Sequence, residues 1–316
     1  MVILKRGWGC CYLAALLVSP AALANDAASW LQRMSDATSQ VSYKGAFVYE
    51  RSGSFSTHQV WHRSTDQVVT ERLLQADGEP HEWVRRDGHV QCASSYSAGP
   101  VWDAASQSPQ DVETLSQWYS LEVLGATRVA NHAATVVSVK PRDNLRYAYE
   151  LYLDSETGLL LKSLLINERG TLLERFQFTD LTYTDIADAN LEPGAACLQL
   201  GVTLKGEQEQ PDWQPGWLPP GFTGGPTDVR AFSVDEPAVS SRVYSDGMAR
   251  FTVFVEPLGE DRLANDLRAQ LGPTVAVSRK LNAADGVFLA TVVGEIPPEA
   301  AERIAASFEP GLESVQ

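Results

Sequence analysis

The chain has 316 residues, and its 25 basic and 40 acidic side chains give a formal net charge of −15 at pH 7. This net negative charge disfavours binding to nucleic acid or to anionic membrane surfaces and favours basic partners, although a need for solubility alone would also explain the charge. The length exceeds that of most single domains, so two domains are expected.

The first 24 residues have the pattern of a secretory signal peptide. Lys5 and Arg6 form a short basic region, residues 10–18 form an apolar run, and Ala-Leu-Ala supplies a small-residue cleavage site. An uncleaved anchor helix is the alternative, but the run is shorter than the ~20 apolar residues that a membrane span needs. We therefore expect cleavage between Ala24 and Asn25, which would leave a soluble mature chain in the periplasm.

Two cysteines, Cys92 and Cys197, remain in the expected mature chain. An even pair in an oxidising compartment predicts a disulfide, with two separate buried thiols as the alternative. Neither cysteine belongs to a CxxC motif, so the pattern does not support a thioredoxin-like redox role.

The mature chain is expected to open with an amphipathic helix, because Trp30, Met34, Ala37 and Val41 fall at helical spacing. After Val41 the hydrophobic period changes to two, which predicts strands separated by short turns. A short helix is expected over residues 111–119. The predicted strands are 43–50, 56–63, 68–74, 82–86, 90–92, 121–129, 133–140, 146–153, 159–166 and 172–184.

These strands predict one large curved antiparallel sheet or an incomplete barrel over residues 25–184, with the opening helix packed on it. One face carries more apolar side chains than a single helix covers. Such a half-barrel is a natural pocket for an apolar ligand, whereas a fully packed core is the alternative. The side chains expected to line a lipid cavity are Phe47, Tyr49, Trp61, Leu73, Leu151, Leu153, Phe176 and Phe178.

Residues 185–212 lose the alternating pattern and become polar, which predicts an interdomain linker. Prolines and aromatic residues directly after it indicate a stiff entry into a second, smaller α+β domain over residues 213–310. The expected elements of that domain are a hairpin around the Asp246-Gly247 turn, a strand at 287–293 and a helix that begins near Pro298. The fold class is thus mainly β with some α structure.

Histidines and short motifs give no sign of catalysis or metal binding. His58 and His62 share one face of a strand, and we interpret them as polar surface residues rather than metal ligands. His81-Glu82 begins like a zinc-protease motif, but Arg85 stands where the second histidine is required. GxSxG, P-loop and GxGxxG motifs are absent from the sequence. We therefore expect a protein that is not an enzyme and that holds no cofactor or metal.

Several segments follow one another along the chain in the order of one known family. They are STHQVWHR (56–63), ERLLQADG (71–78), RYAYELYLDSETGLLLKSLL (146–165), LLERFQF (172–178), WLPPGF (217–222), SRVYSDGMARFTVFVEP (241–257), GPTVAVSRK (272–280) and TVVGEIPPEAAERIAAS (291–307). These segments resemble the RseB/MucB family of periplasmic negative regulators of the sigma-E (AlgU-type) envelope stress response, most closely its pseudomonad MucB branch.

The resemblance implies a fold, a function and partners. The N-terminal domain should be an unclosed β-barrel similar to LolA and LolB with a hydrophobic cavity, followed by a smaller C-terminal domain. The protein should bind the periplasmic domain of a membrane anti-sigma factor of the RseA or MucA type and shield it from site-1 protease cleavage. Lipid or lipopolysaccharide acyl chains should release it, and a homodimer is compatible with the sequence. A periplasmic lipid or lipoprotein carrier is the alternative function, and a hydrolase of unrecognised type is a third.

Overall fold

The computed structural model describes residues 20–66, 68–79, 81–94, 109, 111–195, 197–199, 204–205, 213–231, 238–258, 266–283 and 286–309. Most of the expected leader lies outside these residues, and its end belongs to helix α1 (Pro20–Gln40), which runs through the expected cleavage point between Ala24 and Asn25. In the described part of the chain, no helix is both long enough and apolar enough to cross a membrane.

The N-terminal domain is built on a curved antiparallel sheet of eleven strands. Its elements are β1 (Tyr43–Arg51), β2 (Ser54–Thr65), β3 (Val68–Gln75), β4 (Glu82–Arg86), β5 (His89–Ala93), α2 (Val112–Trp118), β6 (Tyr119–Val129), β7 (His132–Pro141), β8 (Ala148–Asp154), β9 (Leu160–Ile166), β10 (Leu172–Tyr183), α3 (Asp188–Leu191) and β11 (Leu198–Gln199). The strand order is β11-β5-β4-β3-β2-β1-β10-β9-β8-β7-β6. The end strands β6 and β11 do not pair with each other, so the sheet is an unclosed barrel, as the resemblance implied.

The ten strands expected from the alternating pattern are confirmed, each to within two residues at either end. The short helix expected over residues 111–119 is confirmed as α2. Left-handed backbone at Ser52-Gly53 and at Asp87-Gly88 forms the tight turns β1–β2 and β4–β5. Alternation identifies such strands because side chains project in turn towards the core and away from it.

Helix α1 packs on the concave face of this sheet, mainly against β6. Its buried side chains are at most 2% exposed and are Ala27, Leu31, Met34 and Ala37. The buried stripe is therefore centred on Leu31 rather than on Trp30, which is half-buried and carries the Arg33 guanidinium 4.1 Å from its ring. Val41 lies beyond the end of the helix and is also half-buried.

A strap made of residues 185–195 and 197–199 crosses the outer face of the N-terminal sheet. Arg63 donates a hydrogen bond to the carbonyl oxygen of Ile186, and Arg72 donates one to that of Asn190. Short α3 packs against β3, and β11 pairs with β5. Main-chain groups of the strap are thus bound by side chains of the sheet.

A disulfide joins Cys197 of the strap to Cys92 of β5. The linker expected over residues 185–212 therefore needs correction, because its first part, up to residue 199, belongs to the N-terminal sheet. The sequence loses its periodicity there because single polar contacts and one disulfide hold the strap, so no regular apolar face is required.

The C-terminal domain contains a second antiparallel sheet of seven strands, with α4 (Pro298–Ala306) packed against one face. The strands are β12 (Leu204–Lys205), β14 (Thr223–Ala231), β15 (Val239–Ser245), β16 (Arg250–Pro257), β17 (Leu267–Leu271), β18 (Thr274–Ala283) and β19 (Gly286–Gly294), in the order β12-β14-β15-β16-β19-β18-β17. Short strands β13 (Gln214–Pro215) and β20 (Phe308–Glu309) pair separately. The expected hairpin, the strand at 287–293 and the helix that begins at Pro298 are confirmed.

Candidate functional site

The concave face of the N-terminal sheet carries most of the side chains expected to line a lipid cavity. Seven of them lie on this face with exposed fractions of 0–5%: Phe47, Tyr49, Leu73, Leu151, Leu153, Phe176 and Phe178. The rings of Phe47, Phe176 and Phe178 are in mutual contact, with centroids 4.8–5.9 Å apart. Together with the buried sides of α1 and α2 these residues form one core. The structure therefore places them together as a continuous apolar surface covered by the two helices.

Trp61, the eighth expected cavity residue, lies on the other face of the sheet. It pairs directly with Lys44 of β1, and directly opposed residues of an antiparallel pair project on the same side. Lys44 is exposed, and the Arg72 guanidinium lies 5.2 Å from the Trp61 ring. The expectation for Trp61 is wrong because its neighbours Val60 and His62 take the inward positions of β2.

The two histidines interpreted as surface residues are in fact buried on the concave face. His58 is 1% exposed and His62 is 3% exposed. The His58 ring stacks on Phe47 at 5.1 Å, and the His62 ring stacks on Tyr43 at 4.8 Å. Ser56 Oγ lies 2.7 Å from His58 Nε2. The surface interpretation is therefore wrong, and this part of the concave face is polar as well as aromatic.

Burial changes the titration of groups in this polar part. Burial lowers the pKa of His58 to about 4, against a smaller raising effect of Asp77. Burial alone would raise the pKa of Glu71, but His62 Nδ1 at 2.9 Å and Arg85 Nη2 at 2.7 Å hold it below its ordinary value. A neutral histidine and an ionised carboxylate thus lie on β2 and β3, beside the apolar surface of β8–β10.

A buried ion pair connects the two domains. Arg146 lies just before β8, and Asp246 lies in the turn between β15 and β16. Arg146 Nε lies 3.2 Å from Asp246 Oδ2, and both side chains are fully buried. Tyr119, the first residue of β6, donates a 2.9 Å hydrogen bond to the same oxygen. Burial and then the charge of Asp246 raise the pKa of Tyr119 well above its ordinary value, so its hydroxyl remains a donor.

The Arg146 guanidinium is enclosed by groups of both domains. Its Nη2 donates a 2.5 Å hydrogen bond to the carbonyl oxygen of Pro220, and the rings of Trp118, Tyr119 and Phe222 lie 5.2–5.8 Å from its Cζ. Among the described residues, Nε and Nη1 make no well-aligned hydrogen bond, so the contact with Asp246 is an ion pair. A buried pair of this kind adds little net stability, although loss of one partner leaves an uncompensated buried charge.

The turn that carries Asp246 inserts into the N-terminal domain, and we call its residues 245–249 the docking turn. Asp246 Oδ1 accepts hydrogen bonds from the main-chain N–H groups of Met248 at 2.9 Å and Ala249 at 2.8 Å, which fixes the turn. The Met248 side chain joins the core of the N-terminal domain. The docking turn therefore contributes both a charge and an apolar side chain to the contact.

A second polar contact between the domains is centred on Arg51, the last residue of β1. Arg51 Nη1 lies 3.2 Å from Glu174 of the same sheet and 3.1 Å from Glu295, which follows β19. Its Nη2 donates a hydrogen bond to Oγ1 of Thr274, the first residue of β18. Tyr49 donates a 2.6 Å hydrogen bond to Glu174. One arginine thus bridges carboxylates of both domains.

A cleft of about 320 Å³ opens beside the docking turn. Thr114, Gln117 and Trp118 of α2 form one wall, and Thr223 and the docking turn contribute to the other. The interface residues Tyr119, Arg146 and Asp246 were not expected as site residues, because they come from three distant segments and no local pattern connects them.

The described residues include no group of three or more His, Cys, Asp or Glu side chains placed to hold a metal ion. What they present is an apolar surface beneath two helices and a polar contact between two sheets. This geometry defines a two-domain binding protein, in which an unclosed β-barrel is joined to a smaller α+β domain through buried ion pairs.

Comparison with protein families identifies the class more closely. Sequence models of the MucB/RseB N-terminal domain and the MucB/RseB C-terminal domain match residues 26–195 and 207–309. The chain therefore belongs to the MucB/RseB family, and the resemblance noted in the sequence is confirmed.

Known relatives extend over almost the whole chain. The sigma factor AlgU regulatory protein MucB of Pseudomonas aeruginosa is 47% identical over 302 residues, which covers 94% of this chain and 95% of that protein. The sigma-E factor regulatory protein RseB of Escherichia coli is 30% identical over 303 residues, covering 89% and 90%. A solved complex of P. aeruginosa MucA and MucB contains a chain that is 47% identical with a TM-score of 0.75, covering 91% of this chain and 99% of that one.

Proposed function

We propose that this protein is a periplasmic negative regulator that binds the periplasmic domain of a MucA-type anti-sigma factor. By shielding that domain from the site-1 protease, it restrains the envelope-stress sigma factor. The observation that carries the proposal is the end-to-end similarity to MucB, at 47% identity over 94% of the chain. A related chain has been solved as MucB in complex with MucA(peri), and it is 47% identical with a TM-score of 0.74. The signal-peptide pattern of the first 24 residues supports the periplasmic location.

The C-terminal domain, taken as residues 213–310, offers a surface for the partner. Helix α4 covers one face of the second sheet. On the other face Val243, Phe254, Leu267 and Leu271 are 37–70% exposed. Strand β17 lies at the edge of the sheet, where only β18 pairs with it among the described strands. An apolar face beside an open edge suits an extended partner segment, and the net charge of −15 favours a basic one.

We further propose that the N-terminal domain, taken as residues 25–184, binds acyl chains of lipid or lipopolysaccharide on its concave face. Seven expected cavity residues form the buried apolar surface there. Because α1 and α2 cover this surface, an acyl chain has to displace part of the helical layer. Such a ligand shifts the protein towards the arrangement with displaced helices only if it binds that arrangement more tightly than the one in which the helices cover the surface.

The test is a protease-protection assay with a purified MucA-type periplasmic domain and its site-1 protease. The mature chain should slow cleavage, and lipopolysaccharide fragments should restore it. Phe254→Arg should weaken protection, whereas Leu124→Arg on an exposed position of the N-terminal sheet is the matched control. Equal cleavage with and without the chain would contradict the regulator proposal and favour the lipid-carrier alternative. The homodimer stays a prediction, which sedimentation of the mature chain checks.

A further inference from the structure

Helix α2 contacts both the core of the N-terminal domain and the cleft at the domain interface. Val112 and Leu115 are buried in the core that covers the concave face of the N-terminal sheet. Thr114, Gln117 and Trp118 form a wall of the cleft at the domain interface, and the Trp118 side chain also packs against that core. The helix is only seven residues long, so a shift of one face necessarily moves the other.

The C-terminal domain packs directly against the outward face of α2. Gly221, at the entry to that domain, passes so close to the Trp118 indole that a Cβ atom there would overlap the ring. Tyr119 follows α2 without a break and holds Asp246 of the docking turn. Displacement of α2 would therefore remove a hydrogen bond from a buried carboxylate.

Arg146 links the same carboxylate to the apolar surface along the chain. It precedes β8, whose buried side chains Leu151 and Leu153 belong to the expected acyl-chain surface. Its Nε and Nη1 lack well-aligned hydrogen bonds within the described residues, although the side chain is fully buried. A buried ion pair with incomplete hydrogen bonding depends on every remaining partner, so loss of the Tyr119 hydroxyl weakens it further.

We propose that α2, Tyr119, Arg146 and the docking turn couple the concave face to the domain interface. An acyl chain that displaces Leu115 withdraws Tyr119 from Asp246, and the docking turn then leaves the N-terminal domain. This inference rests on the proposed lipid-regulated function, and it names the route by which the lipid signal reaches the C-terminal domain.

The test measures the distance between the domains by pulsed electron paramagnetic resonance on the mature chain with its disulfide intact. Spin labels are placed at Leu124→Cys in β6 and Leu267→Cys in β17, which are 51% and 57% exposed in the parent chain. The lipid probe is laurate. Asp246→Asn removes the charge but keeps the shape of the side chain, and Tyr119→Phe removes only the hydroxyl. Asp143→Asn is the matched control, because Asp143 lies 3.6 Å from Arg146 Nη1 but within the N-terminal domain.

Laurate and Asp246→Asn should each add the same second distance population, and Asp143→Asn should leave the wild-type distribution unchanged. Tyr119→Phe should raise the ratio of undocked to docked protein about 10-fold or more, because hydrogen bonds to buried charged groups are worth at least that factor. If Asp246→Asn fails to fold, Tyr119→Phe decides the question. The inference would be overturned if folded Tyr119→Phe showed the wild-type distribution of distances, or if laurate bound without adding a second distance population.

The distance measurement is made without the anti-sigma partner. It therefore tests the coupling between the concave face and the domain interface even if the protection assay contradicts the proposed function. Affinity for the MucA-type periplasmic domain is measured separately. Asp246→Asn should weaken it about 5–150-fold, the usual range of allosteric coupling. An unchanged affinity in a variant with the altered distance would overturn the link between the docking turn and the partner.

Discussion

Acidification should destabilise the N-terminal domain through His58. In the folded chain, burial lowers the pKa of this side chain to about 4, whereas an unfolded histidine titrates near 6.5. As the pH falls, the unfolded chain therefore binds the proton first, and the free energy of unfolding decreases between pH 6.5 and pH 4. The contribution of neutral, buried His58 to the free energy of unfolding is fully present above pH 6.5. A difference of about 2.5 pKa units between the folded and unfolded chain corresponds to ~3 kcal/mol in the free energy of unfolding, because one unit is equivalent to ~1.4 kcal/mol.

The assay is urea unfolding of the mature chain at pH 7.5 and pH 4.5, compared with His58→Phe. Phenylalanine can keep the ring stacked on Phe47 but does not titrate. Wild type should lose ~2.5 kcal/mol more than the variant over this interval, since most of the shift lies within it. His89→Gln, at an exposed position on β5, should lose as much as wild type. If wild type and His58→Phe lose the same free energy, the reasoning from burial is refuted.

Three further predictions concern the disulfide, a close backbone contact and the concave face. Replacing Cys92 and Cys197 together by serine should lower the free energy of unfolding by about 4–5 kcal/mol in urea, because the bond closes a separation of 105 residues; an unchanged value would contradict this. Gly158→Ala should lower the free energy of unfolding by about 1–3 kcal/mol and also lower the Tm, because φ at Gly158 is +83° and the added Cβ would lie 2.8 Å from a carbonyl oxygen of α1. An unaltered Tm would contradict this prediction. Phe178→Asp should unfold the domain or abolish laurate binding in a fluorescence titration, whereas Trp61→Asp should do neither, and equal effects of the two would contradict the assignment of faces.

The strands were predictable because alternation and turn residues act locally. The errors on β2 show where that reasoning was incomplete. Trp61 is apolar, yet along β2 it alternates in step with Gln59 and Arg63, which point away from the core. His58 and His62 are polar, although along β2 they alternate in step with the apolar Val60 and are buried with it. Parity is the stronger signal, because a shift by one residue reverses every side chain of a strand.

The domain interface was not predictable by the same means. Tyr119, Arg146 and Asp246 meet only after two sheets have formed and packed. Tyr119 begins a strand, and Arg146 and Asp246 lie just outside strands, where periodicity carries no information. The strap over the outer face is a similar case. A disulfide and hydrogen bonds from arginine side chains hold it, and neither leaves a repeating pattern in the strap itself.

The chemistry of the interface bears on how the two domains would separate. Its polar contacts are ion pairs and hydrogen bonds, and its apolar contacts include Met248, Leu145 and the packing of Gly221 on Trp118, whereas each domain has its own apolar core. Water can solvate the separated arginine and carboxylate groups, and each domain keeps its own apolar core, so we expect each domain to remain folded when the interface opens. Ligands commonly contribute about 1–3 kcal/mol to coupling between sites, so the proposed coupling requires that the interface open at a comparable free-energy cost. An apolar interface of the same size would hold the domains together more firmly and would require a correspondingly tighter ligand to part them. The buried arginines therefore fit the proposed change of domain arrangement on lipid binding.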